Sequence, residues 1–217
     1  MLNIAAWAAE GGTVCVENAT ISDLQQALAA GRTTAAGLVS AYLARIEAYD
    51  RGGPRLGAVR EVNPDAMAIA AALDRNKPAE RRPLEGISIL VKDNIATGDA
   101  QHTTAGSLAL ADARSKRDAT VVERLRGAGA VILGKANLTE FANILAIDMP
   151  AGYSSLGGQV KNPYATELDE RDVPIVPPGG SSSGSAVAVA AGLAAAAIAS
   201  ASGFVSRTAF TRGPPRS

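Results

Sequence analysis

A single cysteine, Cys15, and a single histidine, His102, stand in a chain of 217 residues. One cysteine excludes an internal disulfide, and the pair is too few for a clustered His/Cys zinc site. Any Cys/His or Ser/His chemistry would have to pass through His102. Net charge is missing as well: 21 Lys and Arg balance 21 Asp and Glu, so no overall field draws the chain to nucleic acid or to an anionic membrane. The expected partner is a small or neutral molecule, with no nucleic acid and no membrane, and the oligomeric state is not legible. No apolar run reaches the ~20 residues that cross a bilayer; the longest, Ala186 to Ala201, is mostly alanine. Met1 to Glu10 carries no basic residue ahead of an apolar stretch that is too short for a secretory signal. These absences give the expectation of a soluble, cytoplasmic protein. What is present is apolar content of 47%, enough to bury a core as one large domain or two small ones.

Local patterns set out the order of elements. Thr20 ahead of Ile21, Leu24, Ala27 and Leu28, with Asp23 three residues on and Gly31 beyond, predicts a capped amphipathic helix. Thr33 or Thr34 can cap a second, in which Leu38, Val39, Tyr42, Ile46 and Tyr49 recur until Asp50-Arg51-Gly52-Gly53-Pro54 ends it. Asn63-Pro64 reads as an N-cap with proline at the first helical position, leading an Ala-rich helix from Asp65 to about Arg75. The polar stretch Asn76 to Arg82 predicts a surface loop. Then the period changes. Ile87-Ser88-Ile89-Leu90-Val91 is a short β-branched run that predicts a buried strand ending in Lys92-Asp93-Asn94. Asp118 can cap a helix through Val121, Val122 and Leu125 to Gly129, and Ala130-Val131-Ile132-Leu133 predicts a second buried strand. Strand, helix, strand implies a parallel α/β sheet. Residues 144–180 are rich in Gly, Pro, Tyr and Ser with weak period, as expected of a long loop that builds a site.

Two places carry candidate chemistry. Gly179-Gly180-Ser181-Ser182-Ser183-Gly184-Ser185 runs straight into an Ala/Val stretch. In isolation such a string reads first as a flexible loop capping a helix. It also sets hydroxyls and amides at a positive helix end, which suits an oxyanion or a phosphate. A nucleotide loop is the weaker version, because the Gly-Lys-Ser/Thr ending is absent. Lys92 is the other candidate. Most lysines are solvated surface charges, but one held at the carboxyl end of a buried strand lies where α/β sheets gather ligands. Desolvation there would lower its pKa and let it act as a base.

Five segments in order resemble the amidase signature hydrolases, most of all the peptide-amidase-like branch: Leu90-Val91-Lys92-Asp93-Asn94, Thr103-Thr104-Ala105-Gly106-Ser107, Gly134-Lys135-Ala136-Asn137-Leu138-Thr139-Glu140-Phe141, Gly158-Gln159-Val160-Lys161-Asn162-Pro163, and residues 179–191. The resemblance covers nearly the whole chain. It implies an α/β fold with a mixed, mostly parallel sheet flanked by helices, incomplete in this chain. Its family-like part is residues 1–199, with a helical lead-in over about 18–80 and an α/β part over about 84–199. It also implies a Ser, cis-Ser, Lys relay that hydrolyses a carboxamide C–N bond, in which Lys92 is the base and Ser181 the cis serine, with a small-molecule or peptide amide as substrate and no cofactor or metal. The cis bond would fall at Gly180-Ser181, where a non-proline cis peptide costs about 3 kcal/mol and has to be enforced by the fold.

The match changes at the nucleophile. The family places it in a Gly-rich turn downstream of the cis serine, and that spacing lands on Val205 in Ser202-Gly203-Phe204-Val205-Ser206-Arg207. Ser206, one position late, is the stand-in nucleophile, without the glycines that expose a hydroxyl and backbone amides in such a turn. Residues 200–217 lack family pattern and read as a tail, of the sort a frameshift or aberrant splice would leave. Family members are longer, so apolar faces and strand edges covered in them would be open here, and a marginally stable, aggregation-prone chain is expected. The alternative to an active amidase is a non-catalytic remnant that binds an amide or a partner; a phosphate-binding Ser181 to Ser185 loop accounts for none of the other segments. Cys15 and His102 are read as structural.

Overall fold

The computed structural model of the chain describes residues 14–76 and 81–200. Two helices open it for the reasons their caps predict. In α1, Ile21–Ala29, the Thr20 hydroxyl accepts from the Asp23 amide (3.1 Å) while the Asp23 carboxylate accepts from the Thr20 amide (2.9 Å), a reciprocal capping box. Thr34 caps α2, Ala35–Arg45, and a wider π-helical turn over Ile46–Arg51 continues it. The α2 amides of Ala35 and Ala36 are also held by the carboxylate of Asp74, from α3, Ala66–Arg75. An acid at a helix N-terminus is favoured by its dipole, so these contacts pin α2 against α3.

Among the described residues the main sheet has four strands, in the order β1 (Val59–Val62), β3 (Val131–Ala136), β2 (Ser88–Lys92) and β6 (Ala196–Ile198). β2 and β3 lie at its centre, parallel and buried along their whole length. β6 pairs parallel with β2, and β1 closes the other edge antiparallel to β3. The crossover from β2 to β3 carries α4, Thr120–Gly127. Alternation along the central strands divides the core into two layers. Leu90, Val131 and Leu133 join the large cluster under α1, α2, α3 and α5 (Ser183–Ala190), whereas Val91 and Ile132 meet Val122 of α4 on the opposite face. This is the α/β architecture expected, a mixed and mostly parallel sheet between helices.

Two local expectations change, and two further features were not anticipated. Asn63 is not the N-cap of α3. Its side chain turns back to accept from the Asp65 amide (3.0 Å) and to donate to the Ile132 carbonyl (2.8 Å), so the helix starts at Ala66. Asp118 does not cap α4 either, because its carboxylate accepts from the Gly98 amide (2.7 Å) and from Arg126 Nε (3.0 Å) and closes the loop between them. Third, β1 is a strand that patterning passed over. Fourth, the Ala-rich run is two elements, since Gly192 takes a positive φ of 64° after α5 and turns the chain back into β6. Residues 144–180 are mostly loop, interrupted by the two-residue pair β4 (Tyr153–Ser154) and β5 (Gly158–Gln159).

Candidate active site

Lys92 ends β2 with no exposed surface, and its side chain points to the start of α5. The ammonium lies 2.9 Å from Ser181 Oγ, 2.9 Å from Ser182 Oγ and 3.2 Å from the carbonyl oxygen of Ser200, so three protons meet three acceptors. Burial lowers its pKa from 10.5 to about 8. The Gly180–Ser181 peptide is cis, at the position expected. Lys92 and Ser181 are therefore brought together, whereas Ser206 lies outside the described residues.

The serine-rich turn is shared between this centre and its own scaffold. Ser183 donates to the Gly179 carbonyl (2.7 Å) and Ser185 to the Ile198 carbonyl (3.4 Å), leaving Ser181 and Ser182 for Lys92. The turn is located by close backbone contact. A Cβ on Gly184 would stand 2.4 Å from the carbonyl oxygens of Ala58 and Asn137, so only glycine lets α5 start so close to β1 and β3.

Asn137 joins the surrounding loops. Its buried side chain donates to the carbonyls of Gly57 and Gly157 (3.0 Å each) and accepts from the Ser154 hydroxyl and the Leu138 amide (2.9 Å each). Its backbone carbonyl accepts from the Gly184 amide (3.1 Å). The loop over residues 144–180 is thereby tied to the same point as the serine-rich turn.

Behind Lys92, Asp93 is fully buried and pairs with Arg60 of β1 at 2.8 Å while accepting from the Thr104 hydroxyl and the Gly106 amide. This pair explains how Arg60 and Glu61 fit in a strand: their charges are matched, with Glu61 also accepting from the His102 amide (3.0 Å) and meeting its Nδ1 (2.9 Å). On that side lies a second buried lysine, Lys135 of β3, whose ammonium donates to the Ile95 carbonyl (2.6 Å) and the Thr103 hydroxyl (3.1 Å).

A family model described as Amidase matches residues 37–203, which span both the Lys92 strand and the serine turn. The chain belongs to the amidase family. Its amidase relatives include an Arabidopsis thaliana protein named a probable amidase, 43% identical over 190 residues, or 86% of this chain and 35% of that protein. A glutamyl-tRNA(Gln) amidotransferase subunit from Salinibacter ruber is 42% identical, with 87% and 34% covered. Among solved structures, the native peptide amidase of Stenotrophomonas maltophilia superposes with a TM-score of 0.76 at 49% identity, covering 83% of this chain and 35% of that one. The chain thus spans about a third of the length of the relatives it matches.

Within this amidase fold the sequence pointed to Lys92 and Ser181 but passed over Ser182, Ser200 and Asn94. Asn94 exchanges hydrogen bonds with the Ser200 hydroxyl at 3.0 and 3.2 Å. Proximity to Lys92 along the chain was the available signal for Asn94, and adjacency to Ser181 for Ser182. Cys15 is exposed, and His102 lies between Glu61 and Arg114, whose Nε donates to its Nε2 (3.1 Å). No helix among the described residues is long and apolar enough to cross a membrane.

Proposed function

We propose that the Lys92 centre holds the base and the proton shuttle of an amide hydrolase using a Ser, cis-Ser, Lys relay. The observation that carries this reading is the part-buried contact of 2.9 Å between Lys92 Nζ and Ser181 Oγ. With a pKa near 8, Lys92 is partly neutral at ordinary pH. Neutral Lys92 accepts the Ser181 proton across that contact as Ser181 accepts one from the attacking serine, which adds to the amide carbonyl. Return of the proton along the same path lets ammonia or an amine leave, and water then releases the acid. Ser206 is the stand-in nucleophile. The family-like part ends near residue 199, with residues 200–217 a tail. Small-molecule and peptide amides are the substrates in this reading, and the cytoplasm the compartment.

A second reading is favoured by one feature, the Gly203-Phe204-Val205-Ser206 sequence in place of a Gly-rich turn. In it the chain keeps Lys92 and Ser181 but binds an amide or a partner without turnover. A fluorophosphonate probe separates the two. Hydrolysis requires labelling of one serine, lost in Ser206→Ala and slowed about a hundredfold or more in Lys92→Ala. A folded chain that takes up no probe leaves the binding reading standing.

A further inference from the structure

Lys135 takes no part in that relay, yet it is a cation with no exposed surface. It has no ion-pair partner among the described residues, although Asp93, Asp99 and Glu61 lie near enough to favour its charge while Arg60 opposes it. Burying an ammonium without a paired carboxylate is costly, so its contacts bear on why it is there. Both go to one feature. Ile95 closes the turn that follows Lys92, its amide donating to the Lys92 carbonyl (2.8 Å), and Asn94 within that turn reaches the Ser200 hydroxyl. The Ile95 carbonyl at the end of this turn accepts from Lys135, and Thr103, the second acceptor, belongs to the loop that Asp93 also anchors through Thr104 and Gly106.

We propose that Lys135 is a positioning residue for the Lys92 centre: its ammonium clamps residues 92–95 against the Thr103 loop and thereby holds Lys92 dry and aimed at Ser181 and Ser182. Lys135 and Lys92 occupy adjacent register positions on β3 and β2, with Val91 opposite Lys135 and Ala136 opposite Lys92. Side chains of successive residues leave a strand on opposite faces, so Lys135 works from the α4 side while Lys92 faces α5. The inference rests on reading Lys92 as the base, and it concerns where Lys92 is held rather than whether it turns over substrate.

The test is the titration of Lys92 itself in the full chain, followed by NMR on carbon-labelled lysine. The chain has five lysines, Lys77, Lys92, Lys116, Lys135 and Lys161, and Lys92→Met assigns the signal. In Lys135→Met the turn loosens, water reaches Lys92, and its midpoint rises from about 8 by about one unit. Loss of a neighbouring charge would act in the same direction, so Thr103→Val is the deciding variant: it removes one acceptor and no charge, and the midpoint rises by about half a unit. A midpoint that stays put in folded Thr103→Val overturns the inference, whether or not Lys135→Met moves it, and the same variant decides if Lys135→Met fails to fold. An ordinary lysine titration in the unsubstituted chain would sink the base reading and this inference together, whereas absence of probe labelling bears only on hydrolysis.

Discussion

Lys92 is the last residue of β2 and Lys135 the next to last of its parallel neighbour β3, both are fully buried, and desolvation carries both from 10.5 to about 8. Their partners differ. Lys92 meets two serine hydroxyls at the open end of a helix, groups able to give up and take back a proton. Lys135 meets a backbone carbonyl, which has no proton to give, and one threonine hydroxyl set in a loop. A lowered lysine pKa therefore reports burial, and since Lys92 also meets the Ser200 carbonyl, it is the place of the hydroxyls, at a helix start or inside a loop, that separates the proposed base from the proposed clamp.

The sharpest way to separate the two lysines is pH. In the proposed relay Lys92 serves as base only when neutral, so the rate of probe labelling should fall about tenfold per unit as pH drops below about 8, with the Ser181→Ala variant slow throughout. Lys135→Met should keep a sigmoid profile while Lys92→Met loses it. A profile that follows Lys135 would reverse the assignment.

Next in size is Asn137→Ala. It strips four side-chain hydrogen bonds from buried groups around the Lys92 side, and with about 1 kcal/mol for each bond and more for each orphaned group, stability should fall by about 3 kcal/mol or more in urea denaturation. The contacts of Lys135 do not involve these loops, so its titration in the surviving folded fraction should be less altered than that of Lys92. Equal disturbance of both would show that the two sides are one unit.

A further contrast is a stability gain in alkali. Both lysines titrate lower in the folded chain than the ordinary 10.5, so between about pH 8 and 10.5 the unfolded chain holds more protons and stability rises with pH. Urea midpoints at about pH 7 and about pH 10 should show this rise, and Lys92→Met and Lys135→Met should each remove part of it. A gain removed entirely by one substitution would mean that the other lysine is hydrated.

Those features of the fold that depend on nearby residues were legible in the sequence. The Thr20 and Asp23 cap, the apolar run of β2 and its terminal Lys92 each follow from residues within a turn or a strand of one another. What escaped depends on distant partners. β1 carries Arg60 and Glu61 in its middle, and only Asp93, His102 and the pair's own contact make those charges admissible there. β6 hides in an alanine-rich run because alanine favours helix and masks a strand, and only Gly192 marks the change. Lys135 lay inside a segment noted for resemblance, but its burial depends on Ile95 and Thr103, which no spacing along the chain brings to it.

The Lys92 centre has one more property, set by order along the chain. The contact between Lys92 and Ser181 joins residues 89 apart in the chain, and Lys92 also reaches the Ser200 carbonyl, 108 residues on. Neither β2 nor the serine-rich turn sets this pair alone, so the proposed base and shuttle meet only once the two have docked across the fold. The proposed pair is in this sense a late product of folding, fixed by contacts of high sequence separation.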